Sequence, residues 1–403
     1  MASRILLSAT VGWPSAARYA AGFVAAGCVV DALSPAGAPV RVSRFVGRHF
    51  DYSPLFPIAS LRAAIVQSDA ELIVACDDRA VVHLLELYRL EKQRSTAIAT
   101  LIARSLGRPE NYPLVMSRHG ANEAMRAEGV RVPASFSVKD ELALDTALAE
   151  IGFPAVLKVD GSWGGEGVVI VTSPAQAHAA FKKLVKPPAR WRSLARAVRR
   201  KDAHFVHDAI APKTRTVSLQ KFIPGIPAAS AFAARDGHVV GAIAYDVLVA
   251  QDTIGPPNII RRVDCQEIHT AAQKVARRFG LSGLHGLDFI RDDTGAVHLI
   301  EINPRATQGG TLAFGAGRDL PAALAATLSQ SNLGIRPAIS NDTVAFFPRA
   351  WQRNGGQAGF DLAHHDIPWD DPALLLSVLG LPVEPHNDND LHALVYAELG
   401  KLR

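Results

Sequence analysis

A glycine-dense turn between two strand-like segments is the feature of this sequence that most constrains the fold. Residues 153–171 read FPAVLKVDGSWGGEGVVIV, so an apolar run that ends in Lys158 precedes four glycines in seven residues and a second apolar run. A two-residue hairpin needs only one or two glycines. Four of them predict a backbone that closely approaches a ligand and turns its N–H groups toward it, and phosphate is the usual ligand of such a loop.

Two well-known phosphate loops do not match this turn. No Gly-Lys-Ser/Thr closes it and no helix clearly follows it, so it is not a P-loop. The dinucleotide-binding fingerprint opens a helix, whereas this loop opens a strand. A flexible hairpin turn without a ligand is the alternative interpretation.

Length and composition indicate a multidomain globular protein. A chain of 403 residues exceeds the usual size of one domain, which predicts two or three domains. Cys28, Cys76 and Cys265 are widely spaced with no CxxC pair, a pattern typical of reduced thiols in the cytoplasm. No run approaches 18 uninterrupted apolar residues, so no membrane span is predicted. The apolar stretch 1–23 is interrupted by glycine, proline and arginine, and predicts a first strand and helix rather than a signal peptide.

The order of strand and helix signals changes along the chain. Residues 4–92 alternate between the two, which predicts a doubly wound parallel α/β domain without GxGxxG. A polar stretch around 91–113 follows, and from 151 to about 305 the pattern is antiparallel α+β. The predicted strand pairs there are 154–159 with 167–172, 216–223 with 229–234 and 238–247, and 284–291 with 296–302. The tail, 335–403, carries one strand signal among Pro- and Asp-rich loops.

A second cluster of chemistry-bearing residues occupies residues 283–310. Asp288 lies on one predicted strand, and Glu301 and Asn303 lie two apart on the return strand, hence on the same face. Three oxygen-bearing side chains on paired strands suit Mg²⁺, which leaves its other positions to water and phosphate. Arg305 is near enough to hold a phosphate oxygen. A merely solvated hairpin is disfavoured, because Glu301 stands in an apolar run and a buried carboxylate needs a partner.

With these motifs, the chain resembles the ATP-grasp superfamily of carboxylate–amine/thiol ligases over roughly residues 1–330. The segments PAVLKVDGSWGGEGVVIV, LQKFIPG and LDFI…IEINPR stand in the family's order. The D-x₁₂-E-x-N spacing from Asp288 to Asn303 is similar to the family's magnesium pattern. The resemblance implies a Rossmann-like domain over 1–105, an ATP-grasp fold with antiparallel sheets over 106–330, a lid subdomain at about 134–222 within it, and an extension over 331–403.

The resemblance also implies ATP and Mg²⁺ as cofactors, with Mn²⁺ as an alternative ion, and gives roles to the matching residues. The phosphate contacts and the lid over them would be Arg118, Lys158, Gly161, Gly164, Gly165 and Gly167. The adenine hinge, whose backbone reads the base, would be Gln220, Lys221, Phe222 and Ile223. The magnesium ligands would be Asp288, Glu301 and Asn303, with Arg305 on the transferring phosphate.

One departure from the family concerns the ribose. Many relatives carry an acidic residue just beyond the hinge glycine, but this chain reads PGIPAAS there. Ribose recognition is therefore unassigned, and Asp246 is one candidate substitute. In the family a strand corresponding to 255–268 lends a basic residue to the acceptor substrate or the acyl phosphate. Arg261 and Arg262 face opposite ways on such a strand, and we favour Arg262 as the inward residue.

The stretch 182–204 is strongly basic, with Arg192, Arg196 and Arg199 at helical spacing on one face. In order of preference, it is a solvated amphipathic helix, a cap over an anionic substrate, or a nucleic-acid patch. No aromatic side chains are interleaved for base stacking, so nucleic acid is a disfavoured partner.

The expected function is ATP-dependent ligation. ATP would phosphorylate a carboxylate, and an amine or similar nucleophile would displace the phosphate, with catalysis by positioning and charge neutralisation. The expected partners are small-molecule carboxylate and amine substrates, and a homo-oligomer is compatible with the sequence. One alternative is phosphorylation of bicarbonate or carbamate, as in the carbamoyl-phosphate synthetase and biotin carboxylase branches. Another is a nucleotide-binding regulator without catalysis, which the intact magnesium set disfavours.

Overall fold

The amino-terminal region is a parallel sheet with helices on both faces. In the computed structural model, the strands β1 (Arg4–Ser8), β2 (Val29–Ser34), β3 (His49–Asp51) and β4 (Leu72–Ala75) pair in the order β3-β2-β1-β4. The helices are α1 (Ser15–Ala25) on one face and α2 (Pro57–Ser68), α3 (Asp78–Lys92) and α4 (Ala97–Leu106) on the other. Because both faces are covered, β1 and β4 read as continuous apolar runs.

The structure describes residues 2–94, 96–160, 167–186, 191, 195, 215–251, 255–328, 334–352, 360–383 and 388–401. The basic segment 190–201 therefore lies outside the described residues, apart from Trp191 and Ala195.

Two short helices, α5 (Tyr112–Val115) and α6 (Arg118–Ala127), lead into a small antiparallel sheet. Its strands β5 (Ser135–Val138), β6 (Ala155–Val159), β7 (Val168–Val171) and β8 (Val217–Lys221) pair in the order β5-β8-β6-β7. Helices α7 (Glu141–Ile151) and α8 (Pro174–Val185) cover one face and form a separate core with it. The predicted pairing of 154–159 with 167–172 is confirmed by β6 and β7.

The largest sheet has seven strands in the order β13-β12-β9-β10-β11-β14-β15. They are β9 (Ile226–Arg235), β10 (His238–Ala250), β11 (Pro257–Val263), β12 (Gly283–Arg291), β13 (Val297–Asn303), β14 (Thr343–Ala345) and β15 (His364–His365). Helix α9 (Gln266–Phe279) covers one face of this sheet. Helices α1 and α10 (Leu320–Ala325) share one core with the other face, which places that face against the amino-terminal region.

One predicted strand pairing is wrong. The segment 216–223 was expected to pair with 229–234, but β8 pairs with β5 and β6, whereas β9 pairs with β10 and β12. The Pro224-Gly225 dipeptide resembles a hairpin turn, yet the chain uses it to cross from one sheet to the other. Gly225 permits this crossing, because a Cβ built there would lie 2.1 Å from the carbonyl oxygen of Arg291.

The expected linker and tail hold more regular structure than predicted. The polar stretch 91–113 contains α4, whose N-cap Thr96 accepts a hydrogen bond from the backbone N–H of Ala99. The tail contributes β14 and β15 to the seven-stranded sheet, together with α11 (Arg349–Gln352), α12 (Pro372–Leu379) and α13 (Asp388–Lys401). The predicted domain boundaries stay predictions. In the described part of the chain, no helix has the length and apolarity needed to span a membrane.

Candidate active site

A row of paired residues crosses the seven-stranded sheet and organises the site. In register, Glu301 lies opposite Asp288, Asp288 opposite Ala229, Ala229 opposite Tyr245, and Tyr245 opposite Arg262. Residues directly opposite each other on paired strands point to the same face of the sheet. With strands about 4.8 Å apart, Arg262 stands about 14 Å from Asp288 along the row. The row therefore joins the predicted metal ligands to the basic residue favoured for the acceptor.

The predicted metal ligands converge at one end of this row. Asn303 lies on the same face of β13 as Glu301, and its side-chain nitrogen donates a hydrogen bond to Asp288 Oδ2 at 2.9 Å. Burial, and then the negative charge of Glu301, raise the pKa of Asp288 to about 6. Burial acts to raise the pKa of Glu301 as well, but the positive charges of Arg118 and Lys158 outweigh it, so the net shift is downward. Two neighbouring carboxylates thus depend on nearby cations for their charge.

Two cations reach the carboxylates from the small sheet and the helix before it. Arg118 is the first residue of α6, and its guanidinium donates to Glu301 Oε1 at 2.8 Å. Lys158 lies on β6, is 5% exposed, and its Nζ lies 3.4 Å from the carbonyl oxygen of Ile300. Burial lowers the pKa of Lys158 to about 8, although the charge of Glu301 acts in the opposite direction. Separate elements thus bring both predicted phosphate contacts to the β12–β13 hairpin.

Arg118 is held in place from two sides. Its backbone N–H donates to Asp160 Oδ1 at 3.2 Å, and its guanidinium also donates to the carbonyl oxygen of Val159. Ser117 caps the helix by accepting from the N–H of Gly120. The end of β6 and the start of α6 are therefore tied together beside Glu301.

Arg305 connects the metal ligands to the amino-terminal region. Its Nε donates to Asp78 Oδ2 at 2.8 Å, its Nη2 lies 3.3 Å from Asn303 Oδ1, and its guanidinium carbon lies 5.4 Å from the ring centre of Trp13. The backbone N–H of Ala306 donates to the carbonyl oxygen of Ala75 at 2.9 Å, which fixes this turn against the carboxyl end of β4. Arg305 therefore contacts both the predicted metal ligands and the amino-terminal region.

The predicted adenine hinge lies between the two antiparallel sheets. Gln220 and Lys221 end β8, and Phe222 and Ile223 form the passage toward β9. Apart from the strand ladders, no backbone hydrogen bond joins Phe222 or Ile223 to another described residue. Their backbone groups are therefore available to the edge of a base.

The glycine-rich turn is described only at its end. Gly167 adopts a φ of +82°, and its carbonyl oxygen accepts from the N–H of Val159 at 3.0 Å where β6 and β7 separate. The predicted lid glycines Gly161, Gly164 and Gly165 lie outside the described residues.

The other two predicted contacts are not gathered with the metal ligands. Arg262 shares their face of the sheet, but its Nε donates to Asp342 at 2.7 Å, and it stacks over Phe314 at 5.6 Å. The carboxylate of Asp246, the candidate ribose substitute, accepts a hydrogen bond from the guanidinium of Arg291 at 2.7 Å. Because Asp246 neighbours Tyr245 on β10, it points to the opposite face of the sheet from Asp288.

Sequence reasoning missed several groups around this site. Asp78 begins α3 three residues beyond β4, and Trp13 lies five residues beyond β1, so both stand at the carboxyl edge of a parallel sheet, where ligands commonly bind. That position was a usable signal. Tyr245 had none, because its place depends on the register of four strands. Arg349 had none either; its guanidinium is largely buried, and it donates to Gln308 Oε1 just beyond Arg305.

The donor set fits magnesium better than a transition metal. Within the described ranges, no three His, Cys, Asp or Glu residues cluster closely enough to hold a metal ion by themselves. Two carboxylates and an amide instead provide only oxygen ligands, and rotation of the Asn303 amide by half a turn presents its oxygen. An incomplete oxygen set suits Mg²⁺, which is usually bound by one or two carboxylates together with water and substrate phosphates.

Comparisons with known proteins agree with this architecture. Residues 202–309 match the family model for the ATP-grasp domain. No curated protein matches the sequence significantly. Among solved structures, the biotin carboxylase domain of the Hydrogenobacter thermophilus 2-oxoglutarate carboxylase, in complex with MgADP, ADP and bicarbonate, is similar at a TM-score of 0.58 and 15% identity, over 81% of this chain and 70% of that one.

A second group of similar structures are N5-carboxyaminoimidazole synthetases. The Staphylococcus aureus protein has a TM-score of 0.57 at 13% identity, over 82% of this chain and 78% of that one. The Aspergillus clavatus protein, in complex with ADP and 5-aminoimidazole ribonucleotide, has a TM-score of 0.59 at 14% identity, with the same coverage. The predicted fold class is confirmed, and residues 202–309 of the chain match an ATP-grasp domain.

Proposed function

We propose that the protein is an ATP- and magnesium-dependent ligase that phosphorylates a carboxylate and joins the resulting acyl phosphate to an amine or similar nucleophile. One observation carries this proposal. Arg118 pairs with Glu301, and Lys158 reaches the backbone carbonyl of the preceding residue, Ile300, beside Asp288 and Asn303. Such a grouping of cations and oxygen ligands matches what a triphosphate with its metal ion requires.

The residues divide the work of phosphoryl transfer. Lys158 and Arg118 neutralise phosphate oxygens, and the hinge at 220–223 receives the adenine between the two sheets. Asp288, Glu301 and Asn303 would hold magnesium, and the ion would supply charge neutralisation for the reacting phosphates. This chain needs no covalent nucleophile, because positioning and charge stabilisation supply most of the catalysis of phosphoryl transfer.

We place the acceptor substrates between Arg305 and the amino-terminal sheet. A narrow crevice with room for about one water molecule lies there, and it is lined by Val11, Trp13, Asp77, Asp78 and Arg79. It sits at the carboxyl ends of β1 and β4, where the strand order reverses, which is the usual ligand position in open α/β sheets. Arg305 links this crevice to the phosphate site through its bond to Asp78.

Bicarbonate is the carboxylate that the comparisons favour. One similar structure contains a bicarbonate anion beside MgADP, and the others are N5-carboxyaminoimidazole synthetases. A bicarbonate-phosphorylating enzyme is therefore the second candidate within the same reaction class.

We also infer a reducing compartment such as the cytoplasm, since Cys28, Cys76 and Cys265 are all free thiols. A homo-oligomer stays a prediction.

A phosphate-release screen tests the proposal. Purified protein with Mg-ATP is offered bicarbonate, amino acids and other small acids, each alone and with a panel of amines. The proposal predicts release that requires one carboxylate and Mg²⁺. Binding of Mg-ATP without carboxylate-dependent release in any combination would instead support the regulator. Labelled bicarbonate distinguishes the bicarbonate branch from the others by its incorporation into the product.

A further inference from the structure

Tyr245 is a buried residue on the same face of the seven-stranded sheet as Asp288, and none of the roles predicted from the sequence involves it. It lies in the row between Ala229 and Arg262 and is 4% exposed. Within the described part of the chain, no hydrogen bond joins its hydroxyl to another residue, yet the hydroxyl is not among the fully enclosed unpaired groups. A hydroxyl that reaches accessible space from a largely buried residue is available to a ligand.

The surroundings of Tyr245 point to the reacting groups. Gly309 packs against its ring, since a Cβ at that position would lie 2.5 Å from Cε1 and 2.6 Å from the hydroxyl oxygen. Burial raises the pKa of Tyr245; the charge of Asp288 raises it further, and that of Arg305 acts in the opposite direction. The phenol therefore stays protonated, and both charged groups are close enough to influence it.

A small residue separates this phenol from Asp288. Ala229 presents only a methyl group between Asp288 and Tyr245, whose backbones are about 10 Å apart across two strand spacings. Arg305 supplies positive charge on this side, whereas the Arg262 guanidinium is paired with Asp342. An anion beside the phenol would meet Arg305 and one neutral hydrogen-bond donor.

We propose that the Tyr245 hydroxyl donates a hydrogen bond to the carboxylate substrate and to the acyl phosphate formed from it. This inference rests on the proposed function. In the folded protein the hydroxyl would then gain, on substrate binding, the acceptor that the described chain does not provide. Because a neutral phenol has one proton to donate and carries no charge, it orients an oxygen of the carboxylate without competing with the metal ligands.

The test uses Tyr245→Phe, which keeps the ring against Gly309 and removes only the hydroxyl. The probe is phosphonoacetate, a stable mimic of an acyl phosphate, titrated calorimetrically into protein saturated with Mg-ADP. We expect the dissociation constant of phosphonoacetate to rise at least about fivefold, as for loss of one hydrogen bond to a charged group. The dissociation constant of Mg-ADP should stay within about twofold, since no nucleotide contact is changed.

A matched control separates this role from a structural one. Tyr112 is equally buried, but its hydroxyl donates to the carbonyl oxygen of Leu106 at 2.9 Å. Tyr112→Phe should lower the melting temperature by about 2 °C or more and leave phosphonoacetate affinity unchanged. Tyr245→Phe should melt no lower than the wild type, because its hydroxyl has no partner to lose.

The outcomes are distinct. Equal phosphonoacetate affinity in Tyr245→Phe and wild type, or no phosphonoacetate binding by a wild type that binds Mg-ADP, would overturn the inference alone. A wild type that does not bind Mg-ADP would overturn the proposed function and this inference with it. A lowered melting temperature with unchanged affinity would make Tyr245 a packing residue.

Discussion

The two halves of the candidate site are built in different ways. On the nucleotide side, charged residues lie on regular elements: Lys158 on β6, Arg118 at the start of α6, and Asp288 and Glu301 on paired strands. On the acceptor side, Asp78 begins α3, but Trp13 and Arg305 come from the loops that follow β1 and β13. Phosphate and magnesium require particular residue types at particular spacings, whereas an acceptor is recognised by whatever the loops and the sheet register bring together.

The halves also differ in their charge. On the nucleotide side, the positive charges of Arg118 and Lys158 keep the pKa of Glu301 low. Both cations would contact phosphate when nucleotide binds. On the acceptor side, an ion pair between Arg305 and Asp78 joins the two regions. Variants on the first side should therefore affect ATP and metal binding, and variants on the second should affect the acceptors.

The largest effect is expected for Glu301→Gln. The change keeps the shape and removes the charge that pairs with Arg118 and, in the proposed function, with magnesium. Turnover should fall by about a hundredfold or more, the scale of losing a preorganised charge-stabilising group. The measurement is Mg-ATP-dependent phosphate release, with Glu123→Gln as control, since Glu123 is an exposed carboxylate paired with Arg126 on the surface. Near-normal turnover in Glu301→Gln would refute the metal assignment.

A smaller effect, confined to the nucleotide, is expected for Lys158→Met. The variant keeps an unbranched apolar chain in the buried strand and removes the ammonium group. The KM for ATP should rise about tenfold, while the KM for the carboxylate changes little, because one phosphate contact is worth about 1.4 kcal/mol or more. The exposed Lys182, paired with Glu141, provides the control Lys182→Met. An unchanged KM for ATP would contradict the assignment.

On the acceptor side, Asp78→Asn should impair the use of the acceptor substrates while leaving the KM for ATP nearly unchanged. Removing this charge breaks the ion pair that ties Arg305 to the amino-terminal region, so the acceptor crevice is no longer held in a fixed shape. We expect kcat/KM for the acceptor substrates to fall about fivefold, with the KM for ATP within about twofold. Asp51→Asn serves as control, since Asp51 is 86% exposed and pairs with Arg41 on the same domain. If ATP and acceptor parameters changed equally, the division into two halves would be wrong.

The smallest effect concerns pH. Because the pKa of Lys158 is about 8, the ammonium that attracts phosphate is lost as pH rises through 8. kcat/KM for ATP should therefore fall about threefold between pH 7.5 and 8.5. Stability should change in the other direction: from about pH 8 to 10.5 the unfolded chain binds more protons at this lysine, so the free energy of unfolding rises. A flat kcat/KM profile up to pH 9.5 would contradict a role for the Lys158 charge.

The parts of the fold that local pattern decides could be predicted from the sequence. The parallel amino-terminal region, the β6–β7 hairpin and the β12–β13 hairpin follow from apolar runs and turn residues. The pairing of β8 could not be predicted, because a Pro-Gly dipeptide serves equally in a tight turn and in a crossing between sheets. Helix α4 was missed because the polar and charged residues that flank its apolar sequence made the whole stretch 91–113 look like a linker.

Part of the candidate site could likewise be predicted from the sequence, and part could not. The D-x₁₂-E-x-N spacing and Lys158 could be recognised, because a ligand with fixed chemistry requires such residues. Tyr245 was invisible, since alignment with Asp288 requires the registers of β12, β9 and β10 together. The pairing of Arg262 with Asp342 was equally hidden, because Asp342 arrives from the tail of the chain.

The most direct test of the account is a calorimetric titration of a non-hydrolysable ATP analogue, with and without Mg²⁺, into the wild type and Asp288→Asn. The account's central claim is that Arg118, Lys158 and the β12–β13 hairpin form one metal–nucleotide site. It predicts that Mg²⁺ strengthens binding of the analogue at least about tenfold in the wild type and that Asp288→Asn abolishes this gain. Equal strengthening by Mg²⁺ in both proteins, or no binding by the wild type, would contradict it.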